Sequence, residues 1–358
     1  MTGAPERKTS GARRPASRRR EAAAPAHGVH PDVLLSLLDQ GVRFDAEYRE
    51  GLSNHLPMAL VALRRLGASD ERLRSFAASY VTRLQPAPPS QAWSAGDPWA
   101  DRLGQREAWP AYRALFAEWL SQEGAASVLE QVLPLLMTGC GAAAFHAMIR
   151  TSYAMQVGHA GELADGLAYW ACRFLPLGAA AAASPPVKAV RDAQVVLKAL
   201  RRASLGPHPS EALIFQRMNE VARHPEFARQ VARLAIDGGT LEALARHGAE
   251  LYAASGDFTV LHLVTSAHAA RVLEPFCEDP EALRLHYWRA YAAAHRASAA
   301  EPGDMPQPPW SWEQLIAFAV ASDDAHAIKL VDSCRELEKA WGEGPWRAAA
   351  TRALRPAA

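Results

Sequence analysis

Four histidines stand inside apolar runs with little other charge beside them. They are His55 in Leu52-Ser53-Asn54-His55-Leu56-Pro57-Met58, His146 in Ala144-Phe145-His146-Ala147-Met148-Ile149, His262 in Val260-Leu261-His262-Leu263-Val264, and His326 in Ala325-His326-Ala327-Ile328. A buried imidazole needs a hydrogen-bond partner or a metal, because an unsatisfied polar group in a core costs about 1–3 kcal/mol. Taken singly, each reads as a core histidine satisfied by a neighbour. Taken together, on four different predicted helices, they are also the kind of donor set from which helical bundles assemble metal sites out of facing side chains. Spacing alone leaves both readings open.

The other histidines sort differently. His27, His30, His208, His224, His247, His286 and His295 are flanked by Arg, Pro or Glu and are expected in solvent. His268 follows His262 by six residues, a rotation of about 240° on a helix, so it should point elsewhere. His159, between Gly158 and Gly161, is expected in a turn. Lys329 lies three residues after His326 and shares its helical face. It reads either as a surface lysine whose stem lies along apolar neighbours or as a partner of that histidine.

The elements that must position these residues are helical. Apolar residues recur at helical spacing from His30 onward, as in Val33, Leu34, Leu37, Leu38 and again Leu60, Val61, Leu63, Leu66. Alanine is the commonest residue, and period-2 runs rich in Val, Ile and Thr are absent. The fold class expected is all-α: roughly a dozen helices in a single globular domain, with a metal site in the helical core. Glycines and prolines punctuate the joints, among them Gly67, Pro86 to Pro89, Gly124, Gly178, Pro185-Pro186 and Gly238-Gly239. Residues 184–205 and 301–309 are the expected loops. Residues 1–27 should form a disordered basic tail, and residues 28–350 the helical domain.

One motif argues for different chemistry. Gly139-Cys140-Gly141-Ala142-Ala143-Ala144 fits the dinucleotide fingerprint G-x-G-x-x-A, with Glu162 and Asp165 near the place of a ribose-binding acid. Such a fold needs strands alternating with helices, and Pro134 would deprive the preceding segment of a ladder hydrogen bond. Close helix approach, or a turn before His146, explains the glycines better. Neither NAD nor flavin is expected from this motif.

Composition removes other classes. The 358 residues are 49% hydrophobic and 22% charged, with a formal net charge of +1. Residues 1–25 carry seven Lys or Arg against Glu6 and Glu21, which leaves the rest acidic at about −4. An acidic body without basic stripes offers no footing for nucleic acid. Behind Arg18-Arg19-Arg20 stands Glu21-Ala22-Ala23-Ala24-Pro25-Ala26, which is not a signal-peptide core, and no 18-residue window is uniformly apolar. Cys140, Cys172, Cys277 and Cys334 are far apart and read as buried free thiols. A cytoplasmic protein without nucleic-acid or membrane partners is expected.

At the histidines the chain resembles the questin oxidase-like family, helical proteins of bacteria and of fungal aromatic-polyketide pathways. The matching pieces run in order from Ser53-Asn54-His55-Leu56, through Ala144-Phe145-His146-Ala147-Met148-Ile149 and Leu167-Ala168-Tyr169-Trp170, to His262-Leu263-Val264-Thr265-Ser266 and Asp323-Asp324-Ala325-His326-Ala327-Ile328-Lys329-Leu330. The resemblance implies a non-haem metal oxygenase of secondary metabolism. It would act with O2 on an aromatic polyketide or anthraquinone-like small molecule, by Baeyer-Villiger-type oxygen insertion or ring opening.

On that reading His55, His146, His262, His326 and Lys329 are the metal ligands. Imidazole suits a divalent ion of intermediate softness. Fe(II) is the choice because oxygen activation needs a redox-active centre, which zinc is not. An ammonium cannot ligate a cation, so Lys329 would be deprotonated or carbamylated by CO2. Five protein donors on an octahedral ion leave one position for O2 or substrate. Asp323, with Asn54 and Asp324, would form an outer shell, Asp323 accepting from His326. Arg150 would pair with a substrate phenolate or carboxylate, and Tyr153 would stand beside it as a second catalytic residue. Tyr153, Trp170, Trp310 and Trp312 are either pocket or core aromatics. The alternative is a non-catalytic helical small-molecule-binding or scaffold protein without metal.

Overall fold

The computed structural model describes residues 32–94, 96–178, 189–205, 212–301, 303, 305 and 309–355. The tail expected over residues 1–27 lies outside them, as do His27, His30 and His208.

Helix ends coincide with side chains that can satisfy free backbone N–H groups. Val33–Gly41 (α1) is capped by Asp32, Leu56–Arg65 (α2) follows Asn54 and His55, and Ser69 caps Asp70–Tyr80 (α3). Trp109–Leu136 (α4) is broken at Gly124, where φ is +81°, a conformation glycine reaches without steric penalty. His146–Val157 (α5) and Ala160–Cys172 (α6) come next, then Ala193–Arg202 (α7), Ile214–Arg223 (α8) and Pro225–Val231 (α9). Thr240–Ser255 (α10), Phe258–Leu273 (α11), Pro280–Ala297 (α12), Trp312–Ala321 (α13), Ala325–Trp341 (α14) and Trp346–Leu354 (α15) complete the chain.

The fold is all-α. Among the described residues the only sheet is Glu47–Tyr48 (β1) paired antiparallel with Leu52–Ser53 (β2), Tyr48 opposite Leu52. No helix described is long and apolar enough to cross a membrane. The chain has more helices than the dozen expected, and one corrects the loop assigned to residues 184–205. Ala193, Val196, Leu197 and Leu200 make an apolar stripe that buries α7, a signal masked by the prolines before it and the basic residues around it. The four cysteines are free, and Cys277 is half-buried rather than buried.

α11 is apolar almost all round and is buried accordingly, between α5, α10, α12 and α14. α5 and α14 each also pack on α2, so α2, α5, α11 and α14 close a four-helix ring. His55 is the N-cap of α2, His146 opens α5, His262 is in the first turns of α11, and His326 is second in α14. Four helix N-termini therefore meet at one end of the ring.

Candidate metal centre

The ring brings the four histidines together. The ligand atoms of His55, His146 and His326 lie within 4.8 Å of one another. His262 Nε2 is 3.2 Å from His146 Nε2. The rings of His55 and His146 stack at 4.8 Å, and His326 stands edge-on to His55 at 4.4 Å.

Backbone carbonyls and one carboxylate orient three of these rings. His146 Nδ1 is 2.6 Å from the Ala143 carbonyl and His262 Nδ1 is 2.8 Å from the Phe258 carbonyl. A carbonyl only accepts, so each Nδ1 carries the proton and each neutral ring turns its Nε2 lone pair inward. Two lone pairs then face each other at 3.2 Å with no proton between them. His326 Nδ1 is 3.4 Å from Asp324 Oδ1, and His55 Nε2 is buried without a partner. Burial, and after it the fields of Lys329 and the other rings, holds His55, His146 and His262 well below the usual histidine range. A proton shared between the two nitrogens would relieve the clash of lone pairs, but burial disfavours the charged ring that this needs. A cation would relieve it too, and the spacing suits one: two nitrogens at about 2.1 Å in adjacent positions on a metal are about 3 Å apart.

Lys329 is only 1% exposed, and its charge acts on all four rings. Its ammonium makes no hydrogen bond or ion pair among the described residues. Burial brings its pKa down to about 7, against the opposing pull of Asp324, so much of it is a free amine near neutrality. A surface lysine does not meet this description.

Other expected residues are placed elsewhere. Asp323 is exposed and accepts from Arg72 at 2.9 Å. It is Asp324 that faces His326 Nδ1, at 3.4 Å, and as N-cap of α14 it also accepts from the His326 backbone N–H at 2.8 Å. The helical-face argument for Asp323 fails because the helix begins only at Ala325. Asn54 supports the entry to α2, accepting from Leu56 N and donating to the Asp45 carbonyl.

Arg150 is buried against α6, donating to both Glu162 oxygens at 3.0 Å and to Asp165 at 3.1 Å. Its charge is committed to two buried carboxylates rather than to a substrate anion. Tyr153 turns to α14 and donates to Asp332 at 2.9 Å. Trp170 donates to the Gly139 carbonyl, Trp310 packs on Phe318, and Trp312 is hydrogen-bonded to Glu338. His268 is turned from the cluster toward Tyr153 yet wholly buried, and His295, expected in solvent, is 4% exposed. The charge of Arg296 beside it was a poor guide, because the last turn of α12 is buried around a half-buried arginine.

The segment that looked like a dinucleotide strand, Val132 to Leu136, lies in α4. A Cβ on Gly139 would strike the Phe174 ring at 2.4 Å and one on Gly141 would strike Leu177 at 2.6 Å, so the glycines serve close approach.

Residues 52–334 match the description of the questin oxidase-like family, most of the chain and all five residues of the cluster. The chain belongs to the questin oxidase-like family. Among curated proteins none matches it significantly.

Two features of this questin oxidase-like chain carry no sequence signal. Ala143, Ala144 and Phe145 have φ of +47°, +54° and +69°, three left-handed residues in succession that bring the Ala143 carbonyl onto His146. Each costs roughly 1–2 kcal/mol for a residue with a Cβ, and such strain gathers at functional sites. Ala144→Gly should therefore raise stability by about 0.5–1 kcal/mol and leave metal content unchanged, as read by denaturant unfolding and elemental analysis. The second feature is Phe258, 54% exposed yet edge-on to both His262 at 5.0 Å and His326 at 4.8 Å. With the His326 side chain 23% exposed, it marks the side on which the cluster meets solvent.

Proposed function

We propose that this protein is a non-haem iron oxygenase of aromatic polyketide or anthraquinone-like molecules. Its metal would be held by His55, His146, His262 and His326, and by Lys329 as free amine or carbamate. The observation that carries the reading is the pair of Nε2 lone pairs at 3.2 Å, each fixed by a backbone carbonyl behind its ring. Iron, when bound, supplies the redox chemistry with O2 that no side chain of this set possesses.

The chain's own groups have separate tasks. Asp324 holds His326 by Nδ1, which keeps Nε2 free and raises its basicity. A neutral Lys329 can attack CO2 through Nζ, losing one proton and forming a carbamate anion. Four helix N-termini favour negative charge at this end of the ring. They would stabilise that carbamate and an ionised phenol of the substrate alike. Phe258 offers an aromatic edge beside the solvent-facing ring.

The test is oxygen uptake by the iron-loaded protein with a hydroxyanthraquinone such as emodin, with product mass by spectrometry. Uptake that needs iron and disappears in His262→Ala supports the reading. Equal uptake by metal-stripped protein contradicts it. In the same assay Phe258→Ala should raise KM about two- to tenfold, the value of one edge-to-face aromatic pair, with iron content unchanged.

A further inference from the structure

α7, α10 and the end of α12 enclose a cleft of about 940 Å³, within the range that small organic ligands fill. Three cations line it from one face of α7: Lys198, Arg201 and Arg202, at spacings of three and four residues. None of the three has a carboxylate partner among the described residues. Arg201 instead donates to the Ser298 carbonyl at 3.1 Å and to its Oγ at 2.8 Å, which holds the wall of the cleft at the C-terminus of α12. Arg296 adds a fourth positive charge, and Glu250 and Glu301 offset two.

Facing these cations is His295, only 4% exposed, whose Nδ1 has no hydrogen-bond partner. It lies 5.2 Å from His247, which is fixed by the Tyr291 hydroxyl at 2.7 Å. A buried ring nitrogen left unpaired costs about 1–3 kcal/mol, and His295 is part of the cleft wall. Burial, and then the charge of Arg201, keeps both rings uncharged at neutral pH. The rest of the lining includes apolar residues, Leu197, Leu251, Ala254 and the exposed Met305.

We propose that this cleft is a second ligand site, independent of the histidine centre, for an organic carboxylate with an apolar body. The carboxylate pairs with the Lys198, Arg201 and Arg202 face, because guanidinium groups match a planar carboxylate, and His295 closes the wall behind it. The apolar body covers Leu197, Leu251 and Met305. The two glutamates limit the net charge of the cleft and disfavour a multivalent anion.

Calorimetric titration of metal-free protein with 2-naphthoate tests this, with 2-naphthalenemethanol as its uncharged counterpart. The variant is Lys198→Gln with Arg202→Gln, two exposed positions whose replacement should leave folding intact. One saturable naphthoate site is expected, weakened about tenfold or more both by the alcohol and in the double variant, as the loss of a charged pair would do. Binding should be unchanged in His262→Ala and after iron is restored, so this site and the metal centre can fail separately. Absence of saturable binding, equal binding of acid and alcohol, unchanged affinity in the double variant, or loss of binding in His262→Ala would each overturn the proposal.

Discussion

Arg150→Met should destabilise the protein by about 3–5 kcal/mol, because it strips the counter-charge from carboxylates that have no access to water. Glu162 and Asp165 are each 1% exposed, and Arg150 donates to both. Burial lifts the Asp165 carboxyl to about 6, while Arg150 and then Arg113 pull it down. Without Arg150 the pair must take up a proton or admit water. Adding Glu162→Gln to Arg150→Met should recover a good part of the loss, since one buried charge then disappears with its partner. Urea unfolding of the three proteins reads both effects. Full stability in Arg150→Met with loss of turnover would return Arg150 to the substrate-binding role suggested by its place one turn after His146.

Lys329→Met should act in opposite directions on the metal-free and metal-loaded protein. In the metal-free protein the buried amine is a burden, and its replacement should add about 4 kcal/mol near neutrality, a tenfold change in proton affinity being about 1.4 kcal/mol. The folded-state pKa of about 7 lies below the ordinary lysine value. The folded protein then binds fewer protons than the unfolded chain between pH 7 and about 10, and its stability rises with pH across that window. The rise should be absent in Lys329→Met. In the iron-loaded protein the same change removes the one donor able to carry negative charge, so iron should be lost on gel filtration. Stability within about 0.5 kcal/mol of wild type at pH 6.5 and 9.5, with iron retained, would make Lys329 a bystander.

The cluster was legible because each of its histidines stands in a locally apolar run, where a charged or polar residue stands out. His55, His146, His262, His326 and Lys329 emerge from that contrast, and the structure places them together. Direction was harder to read than membership. Arg150 and Tyr153 follow His146 at helical spacing, yet partners on α6 and α14 decide where they point. Asp323 and Asp324 differ by one residue across a helix start, and only the latter reaches His326. The left-handed run at Ala143 to Phe145 is made of residues that do not advertise it, since glycine would be the expected type. His295 shows the opposite error, a basic neighbour concealing a buried ring.

The cluster at the meeting of four helix N-termini is expected to hold a metal by its nitrogen donors. Elemental analysis of protein purified without a histidine tag, combined with X-ray absorption at the iron edge, tests it most directly. The expected result is one iron per chain, surrounded only by nitrogen and oxygen at about 2.0–2.2 Å, and lost in His262→Ala but retained in His268→Ala. Protein that takes up no metal under anaerobic iron loading, or that keeps it fully in His262→Ala, would contradict the account.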